Sequence, residues 1–139
     1  GLSQLAKLDR FIEARRRNWA ALNEGIRSSP ILRERLIPVE ATPGTEPSWF
    51  GFPMLCAPGI SREKLVSFLE TKKVGSRLVF AGNLIRQPAY EGVKYRISGE
   101  LKGSDQIMNQ AFWLGVFPAI DAPRIRYMLE QLEAGVSRL

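Results

Sequence analysis

Ser48-Trp-Phe-Gly-Phe-Pro-Met-Leu-Cys56 is the stretch that decides the architecture. It is aromatic and apolar with no charged residue, and it reads as a buried strand. Pro53 has no N–H to give a sheet ladder, which predicts a sheet edge or a bulge. Aromatic strands usually build cores. Gly51, set between two aromatics, also allows a close backbone contact.

Working back from this strand, residues 38–47 (PVEATPGTEP) form a polar, turn-rich linker. Further back, Leu5, Leu8, Ile12, Trp19, Leu22 and Ile26 recur at three- and four-residue steps. That spacing predicts one long amphipathic helix from Ser3 to about Ile26, with Ser3 as N-cap and Ser28-Ser29-Pro30 as its end. Arg15 falls inside the apolar stripe. It is either a snorkelling arginine with a packed stem or an ion-pair or phosphate contact across a domain boundary. A long helix with no strand before it looks like a connector, its stripe facing both this domain and a missing neighbour. The division that follows is a connector helix over residues 1–30 and a small α+β domain over residues 31–139.

Forward of the strand, Pro58-Gly59 turns the chain and Ser61 caps a helix through Lys73 that buries Leu65, Val66, Phe68 and Leu69. Residues 77–80 and 93–97 read as short strands on either side of a loop over residues 81–92. Ser104 caps a short helix over 105–111, residues 112–117 form a strand, and Asp121 with Pro123 opens a last helix. Short strands with helices banked on one face predict an α+β fold of two layers, with a short, mostly antiparallel sheet.

The 139 residues suffice for one compact core without disulfides. No apolar run approaches the roughly 18 residues of a membrane helix, and the amphipathic N-terminus does not resemble a signal peptide. Cytoplasm is the expected compartment, with no membrane partner. The single cysteine, Cys56, cannot alone hold a zinc or iron–sulfur site and is expected to be a buried apolar residue. The count of histidines is 0, which removes the commonest general base and excludes Ser-His-Asp and Cys-His chemistry within the chain.

A net charge of +6 invites a nucleic-acid reading. Residues 1–39 hold eight Lys/Arg against four Asp/Glu, and residues 40–139 hold twelve against ten. The excess sits around Arg15-Arg16-Arg17 and reads as a solvated or interdomain helix face. No nucleic-acid motif accompanies it, and no nucleic-acid partner is expected.

Phe80-Ala-Gly-Asn-Leu-Ile-Arg-Gln-Pro-Ala-Tyr90 is the most site-like segment. Asn83, Arg86, Gln87 and Tyr90 can bond sugar hydroxyls or phosphate around Gly82, where a backbone can come close. Arg77 can make a two-point contact with phosphate or carboxylate. The same composition also suits a plain turn, and it is not a phosphate loop of the Gly-Lys-Ser/Thr kind. Carboxylates are scattered singly, with no spaced pair for acid–base work.

Taken together, Leu5 to Asn18 (LAKLDRFIEARRRN), Pro47 to Pro53 (PSWFGFP), Arg77 to Tyr90, Ser104 to Asn109 (SDQIMN) and Phe112 to Pro118 (FWLGVFP) resemble the C-terminal part of the fold type I DegT/StrS sugar aminotransferase/dehydratase family. The similarity is strongest to its 3-dehydratase branch, the lipopolysaccharide-biosynthesis enzymes acting on CDP-4-keto-6-deoxyglucose. As a set, Phe-Gly-Phe-Pro and Phe-Ala-Gly-Asn-x-x-x-Gln-Pro are specific, and the match covers nearly the whole chain.

The resemblance implies a homodimeric, two-domain parent enzyme whose large domain holds pyridoxal or pyridoxamine phosphate. In the dehydratase branch a histidine replaces the Schiff-base lysine of the aminotransferases. The cofactor amine condenses with the 4-keto group of a nucleotide-linked 4-keto-6-deoxy sugar, and the 3-hydroxyl leaves. Some relatives also carry a [2Fe–2S] cluster in the large domain. None of the cofactor-holding positions lies in this chain, so the resemblance implies a fragment that binds no cofactor, is inactive alone and helps close over the substrate. Arg77, Asn83, Arg86 and Gln87 are then the substrate-facing residues, with Trp49 and Phe80 packing behind them. An aminotransferase of the same family, or a stand-alone basic binding module, are the other readings.

Overall fold

The computed structural model describes residues 1–139. Its elements are α1 (Leu2–Leu5), α2 (Leu8–Ser28), α3 (Pro30–Arg35), β1 (Leu36–Pro38), β2 (Gly51–Cys56), α4 (Arg62–Thr71), β3 (Ser76–Leu78), α5 (Lys102–Gln110), β4 (Ala111–Gly115) and α6 (Ala122–Val136). Two 3₁₀ turns, Leu84–Arg86 and Pro88–Tyr90, lie between β3 and α5. The strands form one antiparallel sheet in the order β1-β2-β4-β3.

Alternation along β2 and β4 points Phe52, Met54, Phe112 and Leu114 to one face, where Phe52 pairs with Leu114 and Met54 with Phe112. Leu22 and Ile26 of α2, Leu32 of α3, Leu65 and Leu69 of α4, and Ile125, Met128, Leu132 and Val136 of α6 close over them in one core. The expected two layers, with helices banked on one face of an antiparallel sheet, are present. The other face keeps Ile37, Pro53, Leu55 and Trp113 partly exposed. Gly51 lies under the Trp113 indole, where an added Cβ would fall 2.2 Å from a ring carbon.

Local chemistry explains the element ends. Ser29 accepts the Leu32 N–H and starts α3, with Pro30 in the first turn. Ser61 caps α4 by accepting the Lys64 N–H, and Asp121 caps α6 by accepting the Arg124 N–H. Arg35 ties α3 to the end of α6 by donating to the Val136 carbonyl at 2.6 Å.

The structure departs from the sequence-based expectation at five places. The N-terminal helix is broken at Ala6-Lys7, with Lys7 at φ −107° and ψ −3°, so Ser3 lies inside α1 and caps nothing. Leu2, Leu5 and Leu8 are exposed, and without burial nothing holds the first turns in register with α2. Pro30–Arg35 and Leu36–Pro38, for which the sequence predicts neither helix nor strand, form α3 and β1. Pro53 sits in a central strand, not at an edge: its carbonyl accepts the Val39 N–H, so its missing donor falls where the β1 ladder runs out. Residues 93–97 are not a strand. Finally, α5 begins at Lys102 behind Leu101, which adopts φ +54°, and Ser104 lies within the first turn instead of capping it.

Phe52 is fully buried at the centre of the sheet, against the tilted Trp19 ring. Phe52→Ala is expected to lower unfolding stability by about 3–5 kcal/mol, read from urea midpoints at unchanged slope.

Candidate functional site

Beyond β3 the chain leaves the sheet through Phe80, whose backbone adopts φ +49°. For a residue with a Cβ that conformation costs roughly 1–2 kcal/mol. Gly82 follows at φ +64°, and a Cβ there would lie 2.4 Å from Met108 Cβ and 2.5 Å from Met108 Cα. The loop therefore rests directly on α5, at a distance only glycine permits.

Asp105, in the first turn of α5, holds the loop from below. Its Oδ1 accepts from Asn83 Nδ2 at 2.7 Å and from Arg86 Nε at 3.0 Å, and its Oδ2 accepts from Arg86 Nη2 at 3.0 Å. The Arg86 hydrogen bonds and then the Asn83 amide hold the Asp105 carboxyl below its usual range, and the same carboxylate raises the Arg86 pKa. Gln87 Nε2 donates to the Ala81 carbonyl at 2.8 Å and lies 3.8 Å from the Met108 sulfur.

Thus three of the four residues singled out in the sequence frame the loop. Asn83 is 3% exposed and its amide is held by Asp105. Arg86 keeps Nη1 free of any partner in the chain, and Arg86 and Gln87 line one cleft of about 470 Å³ with Tyr90, Glu91 and Tyr95. Arg77 is not in that cleft. It donates to the Ser76 carbonyl at 2.7 Å and lines a second cleft of about 360 Å³ beside α4, with Arg62, Ser67 and Glu70.

The expected packing residues lie elsewhere too. Phe80 is 92% exposed and backs nothing in this chain. Trp49 stacks on Trp19 at 5.6 Å between centroids, on the α2 side of the fold. Arg15 donates to the Trp49 and Phe50 carbonyls and lies over the Phe50 ring, so its place in the apolar stripe is explained within the chain. Asn18, buried on the same helix, donates to the Phe117 carbonyl at 2.9 Å.

Sequence reasoning missed Asp105 as the hub of the loop, since a lone carboxylate has no spacing signal. It also missed Arg62, which reaches the Ala111 carbonyl at 3.4 Å and whose one sequence cue was its place after a capping serine. The largest cleft, about 590 Å³, lies between α2, α3 and β1 around the Arg27–Glu40 ion pair, away from the loop. Cys56 is buried, and desolvation pushes its thiol up to about 11, which leaves it inert at neutral pH.

Two outcomes are expected. Gly82→Ala forces both a left-handed alanine and a clash with α5 backbone, and should cost about 1–3 kcal/mol in thermal or urea unfolding. Because the folded Asp105 pKa lies below its ordinary 3.8, its contribution is complete above that pH and is lost as pH falls through the lower folded value. The protection factors of the Arg86 and Gln87 amides, which donate to the Asn83 and Leu84 carbonyls, should therefore be high at pH 5 and fall below about 3.8, and Asp105→Asn should remove that acid step.

Residues 1–133 match the model of the DegT/DnrJ/EryC1/StrS aminotransferase family. The lipopolysaccharide biosynthesis protein RfbH of Salmonella typhimurium is 44% identical over 135 residues, spanning 96% of this chain and 30% of that protein. The dTDP-4-dehydro-2,6-dideoxy-D-glucose 3-dehydratase of Saccharopolyspora spinosa is 45% identical over 139 residues, spanning 99% of this chain and 29% of that protein. Among solved structures, the E. coli GDP-4-keto-6-deoxy-D-mannose-3-dehydratase with bound hydrated PLP superposes with a TM-score of 0.82 at 25% identity, covering 95% of this chain and 33% of that one. The chain thus spans about 30% of the length of the curated relatives it matches. On a match that runs from its first residue nearly to its last, the chain belongs to the DegT/DnrJ/EryC1/StrS aminotransferase family.

Proposed function

We propose that the chain is the C-terminal small domain of a nucleotide-sugar 3-dehydratase, removing the C3 hydroxyl of a nucleotide-linked 4-keto-6-deoxy sugar in lipopolysaccharide deoxysugar synthesis. The observation that carries this reading is 44–45% identity, over nearly the whole chain, to a lipopolysaccharide-biosynthesis protein and a sugar 3-dehydratase. The loop over residues 80–90 supports it, because a clamped frame that leaves one edge of Arg86 open suits the positioning of a ligand.

The chain's own residues do not fit a pyridoxal phosphate site. None of Lys7, Lys64, Lys72, Lys73, Lys94 and Lys102 is buried. No Asp or Glu is buried, and the half-buried Asp105 is engaged by Arg86 and Asn83, so no carboxylate is left inside the fold to pair a pyridine nitrogen. A [2Fe–2S] cluster has no ligand set here either, with Cys56 alone and buried. On this reading cofactor chemistry belongs to the large domain of a homodimeric parent enzyme. The chain itself then contributes substrate contacts through Arg86 and Gln87, with Asn83 holding the frame, while Arg77, which faces the separate cleft beside α4, makes none in that cleft.

The expected compartment is the cytoplasm. No helix is long and apolar enough to cross a membrane.

The purified 139-residue chain is expected to give no turnover with pyridoxamine phosphate and keto-sugar, and measurable turnover would overturn the assignment of chemistry to the missing part. In the parent enzyme, Gln87→Ala should raise the apparent KM or lower kcat by roughly 10-fold, the scale of one lost neutral hydrogen bond, and Asn83→Ala, which removes a hydrogen bond to the Asp105 carboxylate, by at least as much. Unchanged kinetics would remove both from the site. Histidine at the Schiff-base position upstream establishes the dehydratase, and lysine there makes the parent an aminotransferase. A start codon directly before Gly1 makes the chain a stand-alone binding module.

A further inference from the structure

Residues 88–100 are exposed almost without interruption. Within them Val93-Lys94-Tyr95-Arg96-Ile97 alternates apolar and basic residues, and its apolar members are β-branched or aromatic. That pattern predicts a strand. The structure gives it none: no backbone N–H or carbonyl of residues 94–100 is hydrogen-bonded to another backbone group within the chain.

The segment nonetheless has two distinct sides. Val93 and Tyr95 line the wall of the loop cleft with Arg86 and Gln87, and they are 50% and 48% exposed. The loop beneath is fixed to α5 through Asp105 and Gly82, so it is a firm bed for one face. Lys94 and Arg96 alternate with these residues, are exposed, and have no carboxylate partner in the chain. Alternating sides, free ladder groups and a backed apolar face are what a sheet edge offers to an incoming strand.

We propose that residues 93–97 form a strand by pairing with a segment that alternates apolar and acidic residues, contributed by the part of the parent polypeptide outside these residues. Charge selects that occupant. Antiparallel pairing with a second copy, centred on Tyr95, sets Lys94 opposite Arg96, and parallel in-register pairing sets each beside itself. Like charges directly opposite destabilise a ladder, whereas Asp or Glu opposite Lys94 and Arg96 stabilises it. Relatives about three times as long supply the chain for the partner segment. The proposal rests on the reading of this chain as one part of a larger enzyme.

The test is hydrogen–deuterium exchange of the intact parent enzyme beside the 139-residue chain. Amides 94–97 should exchange near the unstructured rate in the chain and at least ~100-fold more slowly in the parent. Equal rates in the two overturn the pairing. In the parent, Arg96→Glu should return these amides to within ~10-fold of the chain's rate, while Arg96→Lys keeps the protection. Protection unaffected by Arg96→Glu overturns the acidic partner, and if that variant does not fold, the wild-type comparison still decides the pairing. Turnover separates the two readings. An active dehydratase with unprotected 94–97 overturns the pairing alone, and an inactive parent with protected 94–97 overturns the enzymatic reading alone. A reading frame that begins at Gly1 overturns both.

Discussion

The antiparallel pairing of β2 with β4 is the contact on which the other elements depend. It sets Phe52 across from Leu114 and Met54 across from Phe112, four buried side chains on one face of two adjacent strands. The cross-strand contacts themselves contribute about 0.2–1 kcal/mol each. Burying each side chain contributes about 1.5–3 kcal/mol, and that stabilisation is realised only under a cover that excludes water. Four helices provide it, and apart from Leu32 of α3, whose helix the sequence did not announce, the helix residues that do so lie on apolar faces of helices legible in the sequence. One short strand on each flank then completes the sheet. The other face carries Pro53, Leu55 and Trp113, and there the indole lies over Gly51.

A second constraint acts outside that core. The loop after β3 has almost no apolar burial of its own, and a single carboxylate organises it. Asp105 gathers one amide and two guanidinium N–H groups, and Gly82 lets the backbone come down onto Met108. The polar residues that look most like ligand contacts are therefore partly used in holding the loop's shape. A geometry fixed in this way loses less entropy when a ligand arrives than a free loop would. It also separates the two arginines. Arg86 faces one cleft with its remaining donors, and Arg77 faces another beside α4.

Much of the fold was legible because burial writes a period into sequence. The helices around Leu65, Leu22 and Ile125 carried three- and four-residue repeats, and Ser61 and Asp121 announced their own caps. Pro53 misled because a missing donor was treated as a property of the whole strand, whereas only one edge of one residue matters. Residues 36–38 were missed because a three-residue strand, framed by a helix and a proline, is too short to show alternation. At the site, the loop was legible but its hub was not. Asp105 lies 19 residues beyond Arg86, and nothing local to it distinguishes a clamp from a solvated carboxylate.

The break at Ala6-Lys7 and the coil at 93–97 have one physical explanation. In α2 the apolar stripe is buried at Leu22 and Ile26, then runs on through Leu8 to Leu5 and Leu2, which stand in solvent. In the second segment, alternation persists although no ladder receives it. Periodicity records the environment in which a segment is stable, whichever polypeptide supplies that environment. A helix face without a partner loses the burial that outweighs its conformational entropy, and a strand without a neighbour loses its hydrogen bonds as well. If the chain is one part of a larger enzyme, both patterns describe contacts with the rest of it, and that is why sequence predicts more regular structure at these two places than the 139 residues retain by themselves.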